Sequence, residues 1–368
     1  RRAPGQNAWS TRRKEADQPE ILSGLVGGRT CGAPLAMRIC NSDQHSRDYS
    51  GLRRTPRPSH ADYTALVKYG DSYDIRGGGQ FSGRLTAPLC FAGALALQVL
   101  EQRGIAVAAH IAQIGNIFDE GPDFAAVSRE DLSVLDGRGF PVFSETAGAA
   151  MREEIEDARL AADSVGGAIR CFALGLPAGI GEPMFGGVEN RLASALFGIP
   201  AVRGVSFGTG FGAAAMRGSG HNDPFVMDGD TVAVRTNHAG GVLGGITTGM
   251  PLVVNIAVKP TASIGQTQET VDLVTKTNTS LTIQGRHDPC IVPRAVPVAE
   301  AVTALTILDM LMEDWNCKIT GTSWTLWTIR LPDCSGSAWS WSNRWRTTKR
   351  STTPPCWRPT GSGTSSTG

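Results

Sequence analysis

Apolar residues recur at helical spacing in four stretches of the chain. Leu89, Ala92, Leu95, Ala96, Val99 and Leu100 share one face of residues 89–103, and Gly104 follows as a stop, which predicts a buried helix. Residues 144–164 read as an amphipathic helix whose Glu145, Glu153, Glu154, Glu156 and Asp157 form a solvated face. Residues 188–197 read as a shorter helix. Val298, Val302, Leu305, Leu308 and Met312 line a fourth, with Glu300, Asp309 and Glu313 polar among them. Between these lie strand-like runs at 105–114, 168–175, 202–207 and 252–258, and residues 21–26 and 34–40 read as two strands joined through a glycine turn at Gly27-Gly28. The alternation lacks a G-x-G-x-x-G turn, and Gly208-Thr209-Gly210-Phe211-Gly212 is a near miss that reads as a turn, so a Rossmann domain is disfavoured.

The polar loops carry the chemistry. Gly285-Arg286-His287-Asp288-Pro289-Cys290 continues through Pro293 and Pro297, and proline removes a backbone donor and fixes φ, so the whole run to Pro297 reads as a rigid loop feeding the helix at Val298. Gly77-Gly78-Gly79-Gln80-Phe81-Ser82-Gly83-Arg84 is a second loop, placed where the dipole of the helix behind it favours an anion. Arg57-Pro58-Ser59-His60-Ala61-Asp62, Asn237-His238-Ala239-Gly240-Gly241 and Lys259-Pro260-Thr261-Ala262-Ser263 add imidazoles, cations and hydroxyls. The bland alternative for the first loop is a surface turn with a solvated Arg286–Asp288 ion pair. His110 lies in an apolar run and reads as a core histidine.

Composition narrows the partners. Lys plus Arg number 35 against 34 Asp plus Glu in 368 residues, so no global field draws the chain to nucleic acid or membrane, and any anion site must be built locally. Its 8 cysteines are scattered without C-x-x-C spacing, as in a reduced cytoplasmic protein. No uninterrupted apolar run reaches the roughly 18 residues of a membrane span. His60, His287 and Asp288 lack a metal-binding helix spacing, so no metal site is expected.

The order of these motifs, with Asn41-Ser42-Asp43-Gln44, Asp48-Tyr49-Ser50, Gly181-Glu182-Pro183 and Ile199-Pro200-Ala201-Val202 among them, resembles the chorismate synthase family from Arg1 to about Trp315. The resemblance implies an α+β fold, a β-α-β sandwich with helices packed between antiparallel sheets, over residues 1–315. It fails over residues 316–368, where tryptophans sit among Ser, Thr, Gly and Pro; that tail reads as disordered, and a reading-frame change near Asn316 would produce it. The family's upstream Gly-Glu-Ser-His-Gly segment, which carries the acid for the leaving phosphate, has no counterpart in this sequence.

The implied activity is a 1,4-anti elimination of phosphate from 5-enolpyruvylshikimate 3-phosphate to chorismate in the shikimate pathway. It requires reduced FMN, with NADPH or an external reductant, in a cytoplasmic homotetramer. The resemblance gives His60 the role of protonating the reduced flavin, and Asp288 that of the carboxylate acting as the substrate proton departs. Arg2, Ser82, Arg84 and Arg286 fall at substrate positions. Gln80, Phe81, Ser82, Pro200, Ala201, Gly244, Lys259, Pro260, Thr261, Ala262, Ser263 and Arg286 fall at FMN positions, with Gln80-Phe81 replacing the Arg-Ser of many members. Arg294 reads equally as anion ligand or structural ion pair, and His45, His238 and His287 receive no step. The alternative is a non-catalytic relic that still binds FMN or assembles.

Overall fold

The computed structural model describes residues 2–5, 17–41, 51–283 and 287–318. Arg1, His45, Arg286 and all of the tail beyond Lys318 lie outside them, so the readings made for those residues are not addressed by the fold.

Strand β1 (Pro19–Ser23) pairs with β4 (Ala36–Ile39), and a small hairpin of β2 (Leu25–Val26) and β3 (Arg29–Thr30) fills the turn that sequence alone reads as a simple glycine connection. Then follow α1 (Asp62–Tyr69), α2 (Thr86–Glu101), β5 (Ala106–Ile114), β6 (Ile117–Phe118), α3 (Arg129–Ser133), α4 (Glu145–Leu160) and β7 (Gly167–Leu174). The chain continues through α5 (Val188–Phe197), β8 (Val202–Phe207), α6 (Gly218–His221), the hairpins β9 (Phe225–Asp228) with β10 (Thr231–Val234) and β11 (Val242–Leu243) with β12 (Ile246–Thr247), and β13 (Leu252–Val258). A last hairpin, β14 (Thr267–Asp272) with β15 (Thr277–Thr282), precedes α7 (Val292–Lys318).

The main sheet has the order β6-β5-β7-β13-β8, every pair antiparallel. Its inner strand β13, Leu-Val-Val-Asn-Ile-Ala-Val, is apolar on both faces because both are covered. Val254 and Ile256 join Ile111, Ile169 and Cys171 in the core that includes α7, whereas Val253 and Phe172 face Val127 and Leu132 in the 119–143 connection. Glu300 of α7 reaches the sheet and accepts the N–H of Ala109 at 3.0 Å, on a stretch of β5 that the two-residue β6 is too short to pair. Helix α2 lies between α7 and β4, so the helices sit between two antiparallel sheets, as an α+β sandwich requires.

Helix α7 begins six residues before the sequence pattern indicates, at Val292, not Val298. Pro293 falls in the first turn, where its missing N–H has no intrahelical partner to lose. Pro297 lies inside the helix and does remove one bond. Burial of Val292, Val296 and Val298 in the core holds the segment helical in spite of it. Gly93 of α2 packs so closely on Ala301 of α7 that a Cβ there would fall 2.2 Å from the alanine Cβ. By length and mean hydropathy, Gly83–Glu101 and Val292–Glu313 would each match a membrane span, which a search for uninterrupted apolar runs does not flag; in the fold they pack on each other, and α7 also lies on the sheet.

Candidate active site

Thr86, seven residues before Gly93, and Arg294, seven before Ala301, both line one cavity, so α2 and α7 run parallel and aim their N-termini at the same space. That places two positive dipole ends on its wall. The cavity is about 780 Å³, within the range of small-molecule sites. It gathers residues from remote parts of the chain: Arg2, Arg57, His60, the 78–84 loop, residues 197–203, the 259–263 loop, His287, Asp288 and Arg294.

Local strain shapes two of its walls. Ser59 (φ 57°) and Ala201 (φ 73°) are non-glycine residues in the left-handed region, a conformation that persists where surrounding structure enforces it. The Ser59 backbone oxygen accepts from the Lys259 ammonium, and Ser59 Oγ lies 2.8 Å from the same Nζ. Ala201 O accepts the Lys259 N–H at 3.0 Å. Gly79 (φ 52°) permits the second loop, since a Cβ would sit 2.3 Å from Asp74 O. Ser82 then caps the turn into α2 by accepting from Arg84 N at 3.3 Å.

Among the described residues, six cations line the cavity against one carboxylate, Asp288. Arg2 donates to Thr86 Oγ1 (3.0 Å) and to the carbonyls of Gly83 and Arg84, and pairs with Asp17. It therefore braces the start of α2, and binding an external anion would require it to leave Asp17. Asp288 pairs with Arg294, whose Nε also donates to Arg2 O at 2.9 Å; Arg286, the partner in the surface-turn alternative, lies outside the described residues. Lys259 and Arg203 keep the wall positive; burial first, and the charge of Arg203 second, lower the Lys259 ammonium below its ordinary pKa.

Arg57 and Asp62 form the buried core of the site. Arg57 Nε and Nη2 bond Asp62 Oδ2 and Oδ1 at 2.7 and 2.8 Å, Arg57 Nη1 donates to Ser263 Oγ at 3.1 Å, and His60 Nδ1 stands 2.7 Å from Asp62 Oδ1. Burial alone would raise the Asp62 carboxyl, but the bonds from Arg57 and His60 and the arginine charge outweigh it, leaving the group far below the usual carboxylate range. Neither Arg57 nor Asp62 receives a role from the sequence, nor does Arg203. The available signal was an acid two residues after His60, at the start of α1, with an arginine three before it.

Of the residues singled out in the sequence, His60, Asp288, Arg2, Ser82, Arg84, Gln80, Phe81, Pro200, Ala201 and Lys259 to Ser263 are brought together here. Gly244 is not among the lining residues. It occupies the turn of the β11–β12 hairpin (φ 63°), which is pinned to another loop because Gly245 packs on Glu182 O and Gly187. His238 also lies elsewhere, stacked on His221 with ring centroids 5.8 Å apart. His110 is in the core, as its apolar run predicts.

A closed α+β sandwich that turns two helix N-termini, a histidine–carboxylate pair and a surplus of cations onto one cavity has the make-up of an enzyme for small anionic molecules. The model of the chorismate synthase family matches residues 1–312. A chorismate synthase of Korarchaeum cryptofilum is 47% identical over 86% of this chain and 87% of its own length, and one of Thermococcus kodakarensis is 49% identical over 84% and 85%. A crystal structure of chorismate synthase superposes with a TM-score of 0.62 at 27% identity, covering 80% of this chain and 78% of that one. The chain belongs to the chorismate synthase family. That family is one of lyases in aromatic amino acid biosynthesis, and the chain is an enzyme of that class.

Proposed function

We propose that this chain catalyses the 1,4-anti elimination of phosphate from 5-enolpyruvylshikimate 3-phosphate, giving chorismate, with reduced FMN as cofactor. The observation that carries the reading is the single cavity in which His60, Ser82, Arg84, the 259–263 loop and Asp288 meet under two helix N-termini.

The donor set fits both a flavin nucleotide and a phosphorylated dicarboxylate. Lys259, Thr261 and Ser263 offer a cation and hydroxyls for the cofactor phosphate, and the turn at Pro200 and Ala201 offers backbone groups for its ring edge. When bound, the reduced flavin supplies an electron-rich ring to the substrate. Arg84 and Arg203, with the α2 and α7 N-termini, hold the substrate anions, and arginine suits this because its planar fork matches carboxylate and phosphate oxygens. His60, as the imidazolium, holds a proton at the cavity wall. Asp288 is the carboxylate available when the ring proton departs, and the phosphate leaves with the electron pair of its C–O bond, so no net oxidation occurs. FMN reduction by NADPH or by an external reductant, a homotetrameric assembly and a cytoplasmic location complete the proposal.

Anaerobic incubation with reduced FMN and the substrate tests it: chorismate and inorganic phosphate should appear in equal amounts. No chorismate from this chain, beside an active relative in the same assay, would favour the relic.

A further inference from the structure

We infer that Asp62, clamped by Arg57, is a positioning residue that holds His60 as its Nδ1–H tautomer and leaves Nε2 as the nitrogen presented to the cavity. The inference rests on the reading of His60 as the proton-holding group and adds what sets its orientation and tautomer.

Two groups approach the same ring nitrogen. Nδ1 is 2.7 Å from Asp62 Oδ1 and 3.1 Å from Arg57 Nη2. A guanidinium has no lone pair to offer, so the arginine contact can be a bond only if Nδ1 is unprotonated. In that case the Nδ1 lone pair would face an ionised carboxylate oxygen at 2.7 Å with no proton between them, which is repulsive. A proton on Nδ1 removes the conflict, because both His60 and Arg57 then donate to Oδ1, which has lone pairs for each. The longer arginine contact is then mere proximity of two donors.

The clamp is rigid. Asp62 also accepts the backbone N–H of Arg57 at 3.1 Å, and the Asp62 and Arg57 side chains are only 1% and 6% exposed, whereas His60 is 20% exposed. His60 lines the cavity and Asp62 does not, so fixing Nδ1 toward Asp62 turns the opposite ring edge to the cavity. Arg57 in turn holds Ser263, which ties the proton-bearing group to the 259–263 loop.

Long-range 1H–15N correlation spectra of the protein labelled at histidine nitrogen test this, with the His60 signals assigned by their loss in His60→Gln. At a pH where the imidazole is neutral, Nδ1 should show the shift of a protonated nitrogen and Nε2 that of an unprotonated one. In Asp62→Asn, Arg57 Nη2 turns onto Nδ1, and the tautomer should switch to Nε2–H. Turnover by this variant should fall about 10²-fold or more in kcat with little change in KM, the scale of a general acid–base contribution. Arg57→Lys, which retains the carboxylate, should keep the Nδ1–H tautomer. A wild-type spectrum with Nε2–H overturns the inference even if Asp62→Asn does not fold. So does an Asp62→Asn variant that keeps its tautomer, or switches it and retains wild-type kcat. A wild-type protein inactive in the elimination assay but with the expected spectra would reject the proposed function while leaving the tautomer assignment in place.

Discussion

The molecule contains two histidine–aspartate pairs of similar geometry and opposite surroundings. His60 Nδ1 meets Asp62 at 2.7 Å on the cavity wall, and His110 Nδ1 meets Asp119 at 2.9 Å inside the main sheet. Asp62 is held by an arginine; Asp119 is held by the backbone N–H groups of Phe143 and Ser144, at 2.7 and 2.9 Å. The second nitrogen separates them further. His110 is fully buried, edge-on to Phe143 and stacked near Phe172, and its Nε2 has no hydrogen-bond partner. Under the proposed function the His60 pair serves proton transfer because its far nitrogen faces the cavity; the core pair instead anchors the 119–143 connection to β5.

Substituting each histidine breaks this comparison most sharply. His60→Gln should lower kcat for chorismate formation by about 10²–10⁴-fold, the usual contribution of a placed acid–base group, while His110→Gln should keep kcat within a few-fold of wild type. Removing the carboxylates comes next. Asp62→Ala strands the Arg57 charge in a buried site and should cost about 3–5 kcal/mol in urea unfolding. Asp119→Asn keeps the shape and most of the bonding, and should cost about 1–3 kcal/mol.

Acid titration of stability sharpens the contrast at a smaller scale. Burial lowers the His110 pKa, even though the Asp119 bond works to raise it. The unfolded chain therefore takes up a proton at about pH 6.5 that the folded chain refuses. The associated stability is intact above that pH and declines as pH falls toward the folded value, by at most about 1.4 kcal/mol per pH unit for one proton. Urea midpoints between pH 7 and pH 5 should show this decline, and His110→Phe should flatten it. Asp62 acts lower, its depressed pKa giving stability that is present above about pH 3.9 and lost only in stronger acid. The smallest effect lies outside both pairs. Arg191→Ala, which breaks exposed pairs with Asp309 and Glu313, should cost no more than about 1 kcal/mol in the same unfolding assay.

Elements built on a clear period were legible before any coordinates. Val188–Phe197, Val202–Phe207 and Leu252–Val258 match the sequence reading residue for residue, because Val188, Leu192 and Leu196 bury one helix face and the two strands are bounded by turns. The start of α7 was hidden because Pro293 and Pro297 argue against helix, and only tertiary burial of their neighbours overrules them. The membership of the cavity came from motif order, since nothing in local spacing brings His60 to Asp288 across more than two hundred residues. The Arg57–Asp62 clamp escaped notice for a related reason: its partners bridge a loop and a helix start, where no period applies.

A crystal structure of the chain with FMN and 5-enolpyruvylshikimate 3-phosphate tests the central claim most directly. The account predicts both molecules in the one cavity, a polar atom of the flavin ring within about 3.2 Å of His60 Nε2, and the substrate phosphate against the α2 N-terminus beside Arg84. A flavin seated away from this wall, or a His60 ring turned so that Nδ1 meets it, would contradict the account.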